Sequence, residues 1–239
     1  MSPRTFTAGA AAAAALLPLL AGCSDEEPAN ASGSTPSSTA ADEAPALPGG
    51  VTRLPDPEAG STVQPGRYRV PLGDTLAFDI GLGAPTSIEG DGLYLATPDF
   101  VLKTELATDR YGVPTDACHG DGISPVGPSV ADLVKAIRTQ PGLQVDRPDL
   151  ATFDGAHGKH LRVRIDPAFD VSACRDGQVN LPGVHGTNNN VTPAYIGEWW
   201  ILDVSGQRVV VQGMCDPCNA ISTDRIHQTV GSLAFTTVP

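Results

Sequence analysis

Residues 199–214 read WWILDVSGQRVVVQGM, and this stretch decides the fold. Two largely apolar runs, residues 199–204 and 208–214, flank Ser205-Gly206-Gln207, and a short polar turn between such runs predicts a β-hairpin. Residues 199–202 are consecutive and apolar, so both faces of the first strand are expected to be covered.

Alternating apolar and polar residues predict further strands, and helical spacing predicts two helices. The first helix begins at Ser129, with Asp132 in its first turn, and ends before Pro141-Gly142. The second begins at Ser222 and leads to a final strand at residues 233–238. The remaining strands are expected at residues 76–80, 93–96, 100–106 and 161–165.

The order of strands, helix, strands, helix and strand, with hairpin connections, predicts a single α+β domain with a mainly antiparallel sheet and two packed helices. Residues 127–134 (GPSVADLV), 198–204 (EWWILDV) and 208–211 (RVVV) resemble segments of uncharacterised actinobacterial cell-envelope lipoproteins. The element order is also similar to that of PsbP/Mog1-like domains. The resemblance covers residues 110–239 and implies a fold and a compartment, but no site.

Cys23 ends the run Leu20-Ala21-Gly22-Cys23, which follows an apolar segment at residues 8–20 and resembles the lipobox of bacterial lipoproteins. The resemblance implies that residues 1–22 are a signal peptide, that cleavage occurs before Cys23, and that a lipid such as palmitate is attached there. The apolar segment is too short for a spanning helix. The expected location is the extracytoplasmic face of the cell membrane.

Residues 23–64 are predicted to form a disordered tether that starts at the lipidated Cys23. Residues 24–64 are rich in Ser, Thr, Pro, Ala and Gly, and they carry seven acidic residues and one basic residue. They hold almost no large apolar side chain, so burial cannot offset the entropy lost on ordering. Residues 65–239 are predicted to form the globular domain.

The whole chain carries 15 basic and 27 acidic residues, a net charge of −12. Both the tether and the domain are acidic, and neither has the basic surface expected of a nucleic-acid-binding protein. The expected partner is the membrane, through the lipid on Cys23. The sequence names no protein or small-molecule partner.

Once Cys23 is assigned to the lipid, four cysteines remain, and an even number in an exported chain predicts two disulfides. The pairing of Cys118 with Cys174 and of Cys215 with Cys218 is favoured narrowly, because the short ring closes easily. The competing arrangement joins Cys174 to Cys215.

The motif Cys215-Asp216-Pro217-Cys218 allows two chemical alternatives. It follows a valine-rich strand and precedes a helix, as the redox motif of thioredoxins does. Its spacing also suits zinc, with Cys118-His119 or Cys174 completing the ligand set. Too few residues follow the motif for a thioredoxin-like fold, and disulfides are the expected state in an oxidising compartment.

A possible binding surface combines an aromatic cluster with two arginines that project to one face of the sheet. Core packing of the aromatic residues and solvated or paired arginines are the competing interpretations. The segment His157-Gly158-Lys159-His160 is expected to be a hairpin turn with solvated histidines. The residues of the possible binding surface are Tyr195, Trp199, Trp200, Arg162 and Arg164.

No catalytic, phosphate-binding or dinucleotide-binding motif is present in the sequence. The expected function is that of a membrane-anchored extracytoplasmic lipoprotein, a non-catalytic binding or accessory module of the cell envelope, with no cofactor and no metal assigned. The alternatives are a thiol–disulfide oxidoreductase that uses Cys215 and Cys218, and a metal-binding envelope protein.

Overall fold

The computed structural model describes residues 50–54, 61–89, 94–119, 122–184, 190–215 and 217–238. Cys23 and the predicted signal peptide lie outside these residues. The described part contains two α-helices, α1 (Val130–Thr139) and α2 (Ala220–Gly231). Its strands are β1 (Thr52–Arg53), β2 (Ser61–Val63), β3 (Gly66–Leu72), β4 (Leu76–Leu82), β5 (Thr86–Glu89), β6 (Tyr94–Ala96), β7 (Val101–Leu106), β8 (Tyr111–Pro114), β9 (Ile123–Pro125), β10 (Leu143–Val145), β11 (Asp149–Phe153), β12 (Ala156–Ile165), β13 (Val179–Asn180), β14 (Gly183–Val184), β15 (Asn190–Val191), β16 (Ile196–Val204), β17 (Gln207–Cys215) and β18 (Ala234–Thr237).

A nine-stranded sheet forms the centre of the domain. Its strands follow the order β10-β12-β16-β17-β7-β6-β5-β2, and β11 also pairs with β12. A second sheet has the order β1-β3-β4-β18. The described strand pairs are antiparallel except for β1 with β3. Together with the two helices, this arrangement is consistent with the predicted α+β class.

The central hairpin of β16 and β17 confirms the pairing expected from residues 199–214. Val204 pairs with Gln207, so the turn contains only Ser205 and Gly206 and is one residue shorter than predicted. Both turn residues have positive φ, 53° and 81°. Two left-handed residues give the twist that a tight hairpin needs, and this explains the glycine.

Both faces of β16 are covered, as the consecutive apolar residues predict. Trp200 and Leu202 belong to one core cluster, which also holds residues of the second sheet and of α2. Trp199 and Ile201 belong to the other cluster, which includes residues of α1. Successive residues of a strand point to opposite faces, so one strand contributes to two cores.

The two helices begin for the same physical reason, an N-cap side chain that accepts a backbone hydrogen bond. Ser129 accepts from Asp132 N, and the Asp132 carboxylate accepts from Ser129 N, which completes the predicted capping box. In α2 the cap is Asn219, which accepts from Ser222 N, so this helix begins two residues before the predicted Ser222.

The folded part of the chain begins before residue 65, the start expected from composition. Strand β1 pairs with β3, and β2 pairs with β5. Leu54 and Val63 are buried in the core. With these apolar residues, β1 and β2 pack at the edges of the second and the central sheet.

Candidate functional site

A groove of about 1260 Å³ opens between α1, the β11–β12 hairpin and the β16–β17 turn. We call it the basic groove, because five of the 15 basic residues of the chain line it. Asp203 is the single carboxylate among its described lining residues. The five basic residues are Lys135, Arg138, Arg147, Lys159 and Arg208.

The alternation of side chains along β12 explains why the groove lies here. Leu161 is fully buried in the cluster that also contains Leu133 of α1. Lys159 and His157 share that face of the strand but lie two and four residues earlier, and they line the groove. On this face of β12, polar and basic side chains therefore line the groove next to the apolar contact between Leu161 and α1.

Arg208 is the buried cation of the groove, with a relative exposure of 6%. Its Nη1 donates to the carbonyl oxygens of Gly127 and Ser129, the latter at 3.1 Å, and so ties β17 to the start of α1. Its Nε has no hydrogen-bond partner, and within the described residues no carboxylate lies at ion-pair distance from its guanidinium. The Asp132 carboxylate attracts it only at longer range. Burial lowers the pKa of Arg208, because desolvation disfavours the charged form.

The other four basic residues also lack an ion-pair partner within the part of the chain that the structure describes. The Asp203 carboxylate accepts from Gly206 N at 2.8 Å and so serves the hairpin turn. The groove therefore carries an excess of positive charge on an acidic protein.

An apolar side chain lies beside these cations. Leu150 of β11 is 82% exposed and pairs with Lys159 of β12. Pro128, Val130 and Pro148 add further apolar lining. Pockets that combine apolar walls with a few charged groups bind ligands that have both characters. The arrangement can hold an anionic group next to an apolar one.

The aromatic residues of the predicted binding surface are core residues instead. Tyr195, Trp199 and Trp200 are 2%, 0% and 5% exposed. Trp199 Nε1 donates to Tyr195 Oη at 2.8 Å, whereas Trp200 lies in the opposite cluster. Burial raises the pKa of Tyr195 well above its ordinary value. The three rings therefore do not form one accessible surface.

The two arginines of the predicted surface are both paired. Arg162 Nε lies 3.5 Å from Glu198 Oε1. Arg164 donates to Gln144 Oε1 at 2.9 Å and to Asp146 Oδ1 at 2.8 Å. They do share one face of β12, as the alternation predicts, but they do not join the aromatic residues in a single site.

The expected turn at residues 157–160 is wrong. Phe153 pairs with Ala156, so the turn is Asp154-Gly155, and Gly155 has a φ of 76°. His160 lies within β12, where it pairs with Trp200 of β16. It is a partly buried residue rather than a solvated one.

The four downstream cysteines form two disulfides, Cys118–Cys174 and Cys215–Cys218. This is the pairing that the sequence narrowly favours. The second disulfide closes between the end of β17 and the start of α2. In this state none of the four sulfurs is a thiolate ligand for zinc.

The residues of the basic groove escape detection from the sequence. Lys135 and Arg138 are three residues apart on α1, so they share its polar face, and this is the one local signal. Arg147, Lys159 and Arg208 come from separate segments, and only the register of the sheet brings them together.

No family model matches the chain, and comparisons with curated proteins and with solved structures found no similar protein. The interpretation of the site therefore rests on its geometry. No helix in the described ranges has the length and apolar character needed to cross a membrane.

Proposed function

We propose that the protein is a lipid-anchored, non-catalytic binding module on the extracytoplasmic face of the cell membrane. We further propose that its basic groove binds a small anionic ligand with an apolar part. The observation that carries the proposal is the convergence of five basic residues around the exposed Leu150, none of them in an ion pair within the described part of the chain.

The chemistry of the groove favours a phosphate or carboxylate group on the ligand. Arg208 is already desolvated, and its Nε is a donor without a partner. Because this Nε is itself buried, Arg208 would act on an anion in the groove through its charge, which is weakly screened at a desolvated site, rather than through a hydrogen bond from Nε. Lys135 and Arg138 are exposed, so they would add a longer-range attraction that salt screens.

The lipid anchor is proposed from the sequence of residues 20–23, which lie outside the described residues. Two disulfides suit an oxidising compartment and are therefore consistent with export. The PsbP/Mog1-like assignment is part of the same proposal. It rests on the order of strands, α1, strands, α2 and a last strand.

The ligand proposal is tested by calorimetry with the full-length protein in nanodiscs of neutral lipid. The probe is 1-naphthyl phosphate, which joins an anion to an apolar ring, and inorganic phosphate is the comparison. We expect tighter binding of 1-naphthyl phosphate, and a Lys135→Glu/Arg138→Glu variant should bind it at least about tenfold more weakly, since each reversal replaces attraction by repulsion.

Two further variants distinguish the apolar contribution to binding from the contribution of charge in the groove. Leu150→Ala should weaken the binding of 1-naphthyl phosphate but leave inorganic phosphate unchanged. Arg67→Glu reverses an exposed charge on β3, away from the groove lining, and should change neither affinity. Equal affinity in the parent and in the α1 double variant would refute the assignment of the groove.

The anchor is tested separately by labelling cells with a palmitate analogue. The parent protein should be labelled and recovered with membranes, and Cys23→Ser should lose the label. Labelling that persists in Cys23→Ser, or a mature N-terminus at another residue, would overturn the lipoprotein assignment.

A further inference from the structure

Two histidines and a glutamate meet on the α2 side of the central sheet, opposite the basic groove. His160 Nε2 lies 2.8 Å from Glu198 Oε2, and His227 Nε2 lies 3.9 Å from the same oxygen. The three ligand atoms all lie within 4.8 Å of one another. We call this group the His–Glu–His cluster.

We propose that the His–Glu–His cluster binds a divalent transition-metal ion, with Zn²⁺ as the reference ion. This proposal goes beyond the groove and does not depend on it. Imidazole nitrogen and carboxylate oxygen are common zinc ligands, and ions with two histidines and one carboxylate keep at least one position open. The two imidazole nitrogens and the carboxylate oxygen therefore determine the class of ion that we expect to bind.

The distances fit such an ion after small side-chain rotations. Ligand atoms about 2.0–2.2 Å from a tetrahedral ion lie roughly 3.4 Å from one another. The His160–Glu198 distance of 2.8 Å is slightly shorter and the His227–Glu198 distance of 3.9 Å slightly longer than this spacing. An ion would replace the hydrogen bond between His160 and Glu198 and draw His227 inwards.

The register of the sheet builds the site from two neighbouring strands. Arg162 pairs with Glu198, and His160 pairs with Trp200. Side chains two residues apart on a strand share a face, so all four lie on the same side. α2 then adds His227 from above that face.

Glu198 is the oriented ligand. It is 3% exposed, and its Oε1 lies 3.5 Å from Arg162 Nε while its Oε2 lies nearest to both histidines. The contact with Arg162 is an ion pair rather than a hydrogen bond, because Arg162 Nε has no hydrogen-bond partner, and its charge attracts Oε1 away from the histidines. Arg162 is therefore a positioning residue, and it leaves Oε2 for the ion.

Trp200 holds both imidazole rings. It stacks on His160 with ring centroids 4.8 Å apart, and it meets the edge of His227 at 5.4 Å. The His227 side chain is 47% exposed, whereas the His160 side chain is 20% exposed. An ion can therefore reach a largely preformed site from solvent on the side of α2.

The test is calorimetric titration of the chelator-treated full-length protein, in neutral detergent, with ZnCl₂. We expect one high-affinity site per chain. His227→Ala should lower the affinity about tenfold or more, and Glu198→Gln should do the same. The visible absorption of bound Co²⁺ gives a second readout of nitrogen and oxygen coordination.

His157→Ala is the matched control, because His157 lies on the same strand but outside the cluster and is exposed. It should leave the affinity for Zn²⁺ unchanged, as should Lys135→Glu/Arg138→Glu. Circular dichroism and thermal unfolding verify that each variant is folded. Absence of saturable binding by the parent, or affinity that is equal in the parent, His227→Ala and Glu198→Gln, would overturn the proposal.

Discussion

Ile226 of α2 packs so closely on Gly213 of β17 that a Cβ atom at residue 213 would lie 2.2 Å from Ile226 Cγ2. Gly213 pairs with Glu198 across the hairpin, and His227 directly follows Ile226. The missing side chain of one glycine therefore sets the distance between α2 and the sheet. It also determines how closely His227 approaches Glu198.

Gly213→Ala is expected to destabilise the protein by about 1–3 kcal/mol, the usual cost of adding atoms to a filled core. It should also weaken Zn²⁺ binding, because α2 must move outwards. Urea unfolding of the full-length protein measures the first effect, and calorimetry measures the second. Gly231→Ala is the control, since a Cβ there meets nothing within 4 Å. Equal unfolding free energies for the two variants would contradict this account of the contact.

Tyr195→Phe is expected to cost about 1–3 kcal/mol, because Trp199 Nε1 would be left as a buried donor without its acceptor. The phenyl ring of this variant would fill the same space, so the loss isolates the hydrogen bond. Tyr68→Phe is the comparison: the hydroxyl of Tyr68 donates to Gln64 O near the surface, and water can replace it. Chemical denaturation of both variants decides the matter. A loss no larger than that of Tyr68→Phe would show that the buried bond contributes little.

The centre of the fold could be predicted because its signals are local. The runs on either side of Ser205-Gly206 fix a hairpin by themselves, and Ser129 with Asp132 marks a helix start within four residues. Both the hairpin and the helix start can be predicted without knowledge of the residues that pack against them.

The sites could not be predicted in this way, because they depend on register and on helix placement. His160 and Glu198 are far apart in the chain, and they meet because β12 pairs with β16 in one particular alignment. The prediction of a turn at residues 157–160 was based on Gly158, and it is wrong. A Cβ there would lie 2.0 Å from Ile201 O, so this glycine permits the close approach of two strands rather than a bend.

The two disulfides are expected to differ in their contribution to stability. Cys118–Cys174 spans 56 residues and Cys215–Cys218 spans three. Loop-closure entropy then gives about 4 kcal/mol for the first and about 2 kcal/mol for the second. Cys118→Ser/Cys174→Ser should therefore unfold at a lower urea concentration than Cys215→Ser/Cys218→Ser. The reverse order would mean that the short ring contributes through native contacts rather than through loop closure.

Thiol–disulfide turnover is not expected of a binding module, even though Cys215–Cys218 has the spacing of a redox motif. The full-length protein should not accelerate the reduction of insulin by dithiothreitol beyond the level of its Cys218→Ala variant. Turbidity of the precipitating insulin chains provides the measurement. Acceleration that disappears in Cys218→Ala would establish the oxidoreductase and refute a purely non-catalytic function.

The start of α1 is expected to make stability depend on pH. The Ser129 hydroxyl and backbone N–H both donate to the Asp132 carboxylate and hold the pKa of Asp132 below its ordinary value of 3.8. A lowered pKa in the folded state means that the contribution is complete above the ordinary value and is lost as pH falls through the folded value. Asp132→Asn should therefore be less stable than the parent at pH 7.

The difference between Asp132→Asn and the parent should shrink as the pH falls below the ordinary pKa of 3.8 and through the lower folded-state pKa, because the parent carboxylate then becomes neutral too. Urea unfolding across this pH range measures it. Asp74→Asn removes the same charge in the exposed β3–β4 turn, away from any helix cap, and should show a smaller loss at pH 7. A difference between Asp132→Asn and the parent that stays constant down to pH 2 would assign the effect to side-chain shape rather than to the charged cap. In that case the charged capping box would also contribute less to holding Ser129 in place. The Ser129 carbonyl oxygen accepts a hydrogen bond from the Arg208 guanidinium at the edge of the basic groove.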